Sequence, residues 1–287
     1  MPVSVGHGRT GGPGRLSHTV GITTWVRNFY KRKKYLFSAH LTGYMRNAPL
    51  IALLLIAITA RAQEKESFYV FNADWQPTKI DSAHFLLHIH QMNDTCWQFD
   101  YYNFTGPLLK SEQYGDKDGK QLNGLTRLYN DKGLLDSAAA YKRGLLNGDA
   151  YKLSGDTFHI KMKYIYRNDS LISTIDPAAE KEDKTKYPDE KESEYPGGTG
   201  QWLRYMNKHL RYPDRAVSQK TEGEVRVLFI VDPRGGILDP YIGKSVEYSL
   251  DQESLRIVRE SGKWEPGFQN GKNVKTYKCQ PVVFRLE

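Results

Sequence analysis

The sequence predicts an α+β protein, in which an antiparallel β-rich repeat region precedes a C-terminal two-layer ββαβ domain. Three observations carry this. Val225, Val227, Phe229 and Val231 alternate with Arg226, Leu228 and Ile230, the period of a well-buried strand. A tight turn, a return strand, a helix with marked ends and a last strand follow in order. Upstream, residues 104–153 repeat a short strand-and-turn unit.

The C-terminal elements are written clearly. Asp232-Pro233-Arg234-Gly235-Gly236 stacks turn formers, with Pro233 suited to the first corner. Residues 237–242 read as the return strand of the hairpin. Ser249 and Gln252 have the spacing of a capping box. Asp251 and Glu253 fall in the first helical turn and Arg256, Arg259 and Lys263 near the end, each sign matching the helix dipole. Gly262 is a left-handed stop, and Trp264-Glu265-Pro266-Gly267 cannot continue a helix. After an Asn270-Gly271 turn, residues 274–286 supply the last strand, with Val282, Phe284 and Leu286 on one face. Pro281 has no N–H for a ladder, so this strand is expected at an edge or with a bulge. Before the hairpin, Trp202, Leu203, Met206 and Leu210 mark one face of a short helix ended by Tyr212-Pro213. Trp202, Phe229, Leu255 and Trp264 are expected in the core.

Taken together, Tyr212-Pro213-Asp214-Arg215-Ala216, Glu222-Gly223, the run 225–231, Pro233 and Gly235, and Trp264-Glu265-Pro266-Gly267 resemble the C-terminal domain of TonB. The resemblance covers about a third of the chain. It implies a ββαβ fold in the periplasm of double-membraned bacteria. It also implies capture of a TonB-dependent outer-membrane receptor peptide on the strand corresponding to residues 275–284. The partner-binding residues expected from it are Arg211, Tyr212, Lys275, Tyr277, Lys278, Cys279, Gln280, Val282 and Phe284, with Tyr277, Lys278, Cys279 and Gln280 pairing through the main chain. An edge strand offers unpaired N–H and C=O groups, so a homodimer through the same strand is a second use of it.

The implied function is that of an energy transducer for TonB-dependent transport, working with inner-membrane motor proteins if the chain is anchored. The alternative is a soluble periplasmic adaptor without energy coupling. Two departures from the family bear on this choice. A repeat region stands where a Pro-rich spacer is expected, and residues 176–194, fully extended, reach at most about 70 Å.

The formal charge of +8 hides an asymmetry. Residues 1–62 hold nine of the 41 Lys and Arg and no acid, leaving 32 bases against 33 acids in the remainder. Nucleic-acid binding by the folded part therefore lacks an electrostatic basis. The apolar run 50–60 ends in Ala60-Arg61-Ala62 before Gln63, the small-x-small pattern of a secretory signal. The run spans about 17 Å as a helix, against a hydrocarbon core of roughly 30 Å. Residues 1–62 thus read as an upstream extension and a cleaved signal peptide, with synthesis expected to begin at Met45. No Cys follows the run to anchor a lipoprotein. Cys96 and Cys279 fall in different regions and are expected as two independent thiols.

Residues 63–175 form the β-rich region. Residues 68–71 and 97–102 read as strands, and Trp75-Gln76-Pro77-Thr78 as a turn. His84, His88 and His90 punctuate residues 83–91. On a helix His84 and His88 would share a face, and on a strand His88 and His90 would, but no Asp, Glu or Cys completes an evident ligand set, so a half-buried strand and no metal are expected.

Gly106 leads after eight residues to Tyr114 and Gly133 to Tyr141, while Leu122-Asn123-Gly124 recurs as Leu146-Asn147-Gly148. The unit, a strand pair joined at Gly-containing turns, resembles MORN-variant repeats. Asp116, Asp118 and Gly119 look like the start of a calcium loop, but the later Glu is missing, so they read as a turn. Residues 158–166 add a strand with Phe158, Ile160, Met162 and Tyr164 on one face.

Residues 176–194 are the boundary. Eleven of the fifteen residues 180–194 are charged, the composition of a solvated linker before the domain at 195–287. Pro196-Gly197-Gly198-Thr199-Gly200 could cradle an anion, but reads more simply as entry into the fold. There is no Gly-x-Ser-x-Gly, His-Glu-x-x-His, Cys-x-x-Cys or Gly-x-x-x-x-Gly-Lys motif, so neither an enzyme nor a cofactor is expected.

Overall fold

The computed structural model describes residues 65–155, 158–179 and 190–286. The expected extension, the start at Met45, the signal with its cleavage site, and residues 180–189 of the charged stretch lie outside them.

Nine strands form one antiparallel sheet in chain order: β1 (Glu66–Phe71), β2 (Phe85–Asn93), β3 (Cys96–Asn103), β4 (Leu108–Tyr114), β5 (Leu122–Tyr129), β6 (Leu135–Lys142), β7 (Leu145–Ser154), β8 (His159–Arg167) and β9 (Ser170–Ile175). The sequence repeat maps onto two of its hairpins. Tyr114 lies across from Leu122 between β4 and β5, and Tyr141 across from Leu146 between β6 and β7. Gly124 and Gly148 follow at equivalent places with φ of +128° and +113°, beside ladders that both shift register. Asp116 closes the β4–β5 loop by accepting the N–H groups of Asp118 and Lys120, while Asp118 pairs with Lys120 at 2.6 Å. The stretch is a turn.

The C-terminal part comprises α1 (Gly198–His209), α2 (Asp214–Ser218), β10 (Gly223–Val231), β11 (Ile237–Lys244), α3 (Tyr248–Arg259), the small hairpin β12 (Gly267–Gln269) and β13 (Lys272–Val274), and β14 (Thr276–Phe284). Its three-stranded sheet runs β11-β10-β14. Val225, Val227, Phe229 and Val231 are buried as their alternation requires, and Trp202, Leu255 and Trp264 join them in the core.

Two details differ from the sequence reading. Helix α3 begins one residue before Ser249, and its N-cap is Glu247, whose carboxylate accepts the Leu250 N–H at 3.0 Å and the Ser249 hydroxyl. The capping box of Ser249 and Gln252 is not formed, because Ser249 already lies inside the first turn as a donor. The last strand also starts later, since Val274 belongs to the small hairpin around Asn270 and Gly271.

The β10–β11 turn depends on one glycine. Asp232 accepts the N–H groups of Arg234 and Gly236 at 2.7 and 2.8 Å, and these bonds hold its carboxyl below the usual range. Gly235 sits at φ +81°, where an added Cβ would lie 2.2 Å from the Trp264 carbonyl oxygen. Gly235→Ala is therefore expected to lose about 2 kcal/mol or more, from left-handed strain plus the clash. Urea unfolding of the variant checks this.

The larger core crosses the boundary between sheet and C-terminal part. Leu86, Tyr102, Leu108, Tyr129 and Leu135 join the α1, α3 and β10 side chains in one cluster. Tyr248 on α3 stands edge-on to Phe68, His88 and Tyr102. Behind it runs a buried polar chain in which the Leu108 N–H donates to Ser245 Oγ at 2.8 Å and that hydroxyl donates to Asp251 at 2.6 Å. Tyr102 also donates to Asp251. Leu87, Ile89, Trp97, Phe99, Tyr101, Tyr114 and Leu122 form a second cluster.

Burial raises the Asp251 carboxyl well above 3.8, against the lowering by its Ser245, Val246 and Tyr102 hydrogen bonds. The folded state then holds a proton that the unfolded state releases. Its contribution is complete below the unfolded pKa and is lost as pH rises through the folded one. Asp251→Asn is expected to remove that decline with rising pH, as checked by unfolding midpoints of both proteins across pH.

The end of the charged stretch is docked. Lys191 exchanges both main-chain bonds with Phe268, and Glu194 does so with Glu265. Ser193 between them is buried.

Candidate functional site

The three-stranded sheet has two edges, and they differ. At its C-terminal end the outer side of β11 meets the loop before β6. There Leu134 bridges Lys244, Ser245 N–H donates to the Gly133 carbonyl at 2.8 Å, and the Tyr129 hydroxyl donates to the Ile242 carbonyl at 2.7 Å. Gly133 makes the close approach possible, since a Cβ there would lie 2.3 Å from the Ser245 oxygen. On the other side, β14 pairs with β10 alone among the described strands.

Pro281 sits in the middle of that open strand, opposite Arg226, in a ladder without register shift. A residue with no N–H fits an uninterrupted ladder only where its main chain points away from the partner. Main-chain direction alternates along an antiparallel pair. Tyr277, Cys279 and Val283 therefore face outward with Pro281, and Thr276, Lys278, Gln280, Val282 and Phe284 face β10. The strand is an edge and carries no bulge.

This alternation divides the residues expected from sequence. Tyr277 and Cys279 present both an outward main chain and an exposed side chain, Tyr277 at 78% exposure. Lys278 and Gln280 are half-buried on the core face, where Lys278 Nζ lies 4.0 Å from Glu192. Val282 and Phe284 are fully buried, so their side chains hold the strand down. Lys275 is exposed just before the strand.

Arg211 and Tyr212 lie at the opposite end. Arg211 N–H donates to Glu253 at 2.7 Å. The Tyr212 hydroxyl donates to the Thr221 carbonyl at 2.7 Å and its ring stands edge-on to Phe284 at 5.6 Å. Tyr212 is thus a strut under the C-terminal end of β14, and the structure does not bring it to Tyr277.

Two tyrosines that sequence reasoning missed flank the Tyr277 end. Burial, a hydrogen bond to Asp149, and the nearby Tyr277 and Tyr241 hydroxyls push the Tyr151 hydroxyl up. Tyr151 comes from β7, and no periodicity within one region signals a neighbour in the other. The two thiols are free and apart, and burial raises both. Cys279 is therefore a poor nucleophile.

The loop 196–200 opens α1 with left-handed Gly197 and Gly198 and no side-chain cap. Tyr195 beside it packs on Trp202 and Trp264, which makes the glycines an entry into the fold. His88, His90 and Asp100 form a cluster able to hold a metal ion. The sequence reading found no acid for that pair, because Asp100 arrives across the β2–β3 ladder.

Residues 208–286 match the family model of the Gram-negative bacterial TonB protein C-terminal. The solution structure of the TonB C-terminal domain from Helicobacter pylori is 22% identical over 32% of this chain and 87% of that chain, with a TM-score of 0.26. No curated protein matches the chain. Among the described residues, no helix is long and apolar enough to cross a membrane.

Proposed function

We propose that this chain, which carries a TonB-like C-terminal region at 208–286, is a cell-envelope protein that binds an extended segment of an outer-membrane receptor by adding it to β14. The carrying observation is the asymmetry of the small sheet, with the C-terminal end of β11 bonded to the loop before β6 and β14 open around Pro281. Strand addition needs such an edge, and the exposed Tyr277 and Cys279 side chains beside it supply selectivity. The protein acts by binding, without catalysis. Hydrogen exchange tests this: with a receptor N-terminal peptide present, the amides of Tyr277, Cys279 and Val283 are expected to gain protection, and those of Lys278 and Gln280, already in the ladder, to change little. Protection confined to other strands would refute it.

Within this reading the chain serves either as an energy transducer coupled to inner-membrane motor proteins or as a periplasmic adaptor. The shared core favours the adaptor, because a sheet packed on the binding region is no extensible spacer. The paired Tyr and Leu-Asn-Gly positions support reading the hairpins as MORN-variant repeats. Recovery of the native protein in the membrane fraction with residues 46–62 intact would favour the transducer instead. Self-pairing of β14 into a homodimer competes for the same edge.

A further inference from the structure

The face of the large sheet that meets α3 carries a histidine pair that receptor binding does not use. His88 and His90 stand two residues apart on β2 and share a face, and the β2–β3 register sets Asp100 directly across from His88. One donor atom from each of the three lies within 4.8 Å of the other two. His88 is 2% exposed and Asp100 3%. Glu66 on β1 accepts from His88 Nε2 at 2.5 Å, and in the neutral ring with that tautomer Nδ1 carries the lone pair. That Nδ1 and the Nδ1 of His90 are both buried without a hydrogen-bond partner. Buried unpaired polar atoms are costly and need an explanation.

We propose that His88, His90 and Asp100 bind a divalent transition-metal ion of the zinc type, with Glu66 orienting His88. Two imidazoles and a carboxylate suit zinc and leave a fourth position for solvent. A carboxylate on the far nitrogen of a ligating histidine fixes its tautomer and raises its basicity. Gln98 Nε2 donates to both Asp100 oxygens at 3.0 and 3.1 Å, holding that carboxylate in place. The charges facing the cluster are Glu66 and Asp100 from the sheet and Arg259 from α3. Two carboxylates and one guanidinium sum to one negative charge, which favours a dication.

The two rings stack at 4.5 Å with 23° between their planes, so their lone pairs do not yet converge. Phe68 stacks on the other side of His88 and Tyr248 meets it edge-on. His90, the less buried ring, is therefore the one that turns on metal capture.

Tag-free full-length protein, stripped with chelator, is titrated with Zn²⁺ by calorimetry and with Co²⁺ by visible absorption. One ion per chain is expected, with the intense visible bands of low-coordinate Co²⁺. His90→Phe and Asp100→Asn are expected to weaken uptake at least tenfold, and Glu66→Gln about 10–100-fold. His84→Gln, outside the cluster, leaves uptake unchanged. Glu66 is 54% exposed, so its variant carries the test if either of the others fails to fold. Folded wild-type protein that takes up no ion, or zinc affinity unchanged in His90→Phe or Glu66→Gln, overturns the proposal.

Discussion

Glu247→Ala is expected to cost about 3–5 kcal/mol of folding stability, the range for removing one partner of a buried ion pair. Glu247 is fully buried between the two parts of the molecule. One carboxylate oxygen caps α3 by accepting the Leu250 N–H and the Ser249 hydroxyl. The other accepts from Arg215 Nε at 3.3 Å, and the same guanidinium donates to the Phe104 carbonyl in the turn after β3 while stacking over the Phe104 ring at 4.8 Å. Alanine leaves a helix amide, a hydroxyl and a largely buried guanidinium without their partner at once. Glu247→Gln keeps an acceptor for the cap and loses the charge, so it should cost clearly less. Arg215→Ala in the Glu247→Ala background should add less than it does alone, since the pair is already broken. Urea unfolding of the wild type and these four variants measures all of this. A loss under about 1 kcal/mol for Glu247→Ala would mean that the carboxylate is neither cap nor clamp.

Proline placed at successive positions of β14 is expected to separate binding from folding. At Cys279 the main chain faces outward, so proline removes a donor that the β10 ladder does not use, as Pro281 already does two residues on. Lys278 before it is extended, the conformation that a following proline prefers. Cys279→Pro should therefore unfold close to the wild-type midpoint. At Gln280, paired with Val227 in the middle of the sheet, proline removes a ladder donor and leaves a buried carbonyl unsatisfied. Gln280→Pro is expected to lose about 2–3 kcal/mol.

The local pattern of the chain announced much of this arrangement. The alternation 225–231 and the Asp232-to-Gly236 turn defined the hairpin, and Pro281 announced an edge strand. The Asn270-Gly271 turn is present, although it closes a separate small hairpin. What was not legible depends on contacts between distant segments. Glutamate is a poor cap by composition, and only Arg215 and burial make Glu247 one. The contact at the C-terminal end of β11 depends on Gly133, more than a hundred residues away. Asp100 joins His88 and His90 only through strand register. The charge run at 180–194 reads as solvated along its length, yet Lys191 and Glu194 pair with residues 265–268, because main-chain bonds are indifferent to side-chain charge.

The most direct test of the central claim is the affinity of the full chain for a receptor N-terminal peptide, measured by calorimetry for wild type and Cys279→Pro alongside their unfolding midpoints. Loss of an outward main-chain bond and obstruction of the edge predict at least about tenfold weaker binding with little change in midpoint. Equal affinity for the two proteins, with the wild type binding, would place the receptor segment elsewhere and contradict strand addition at β14.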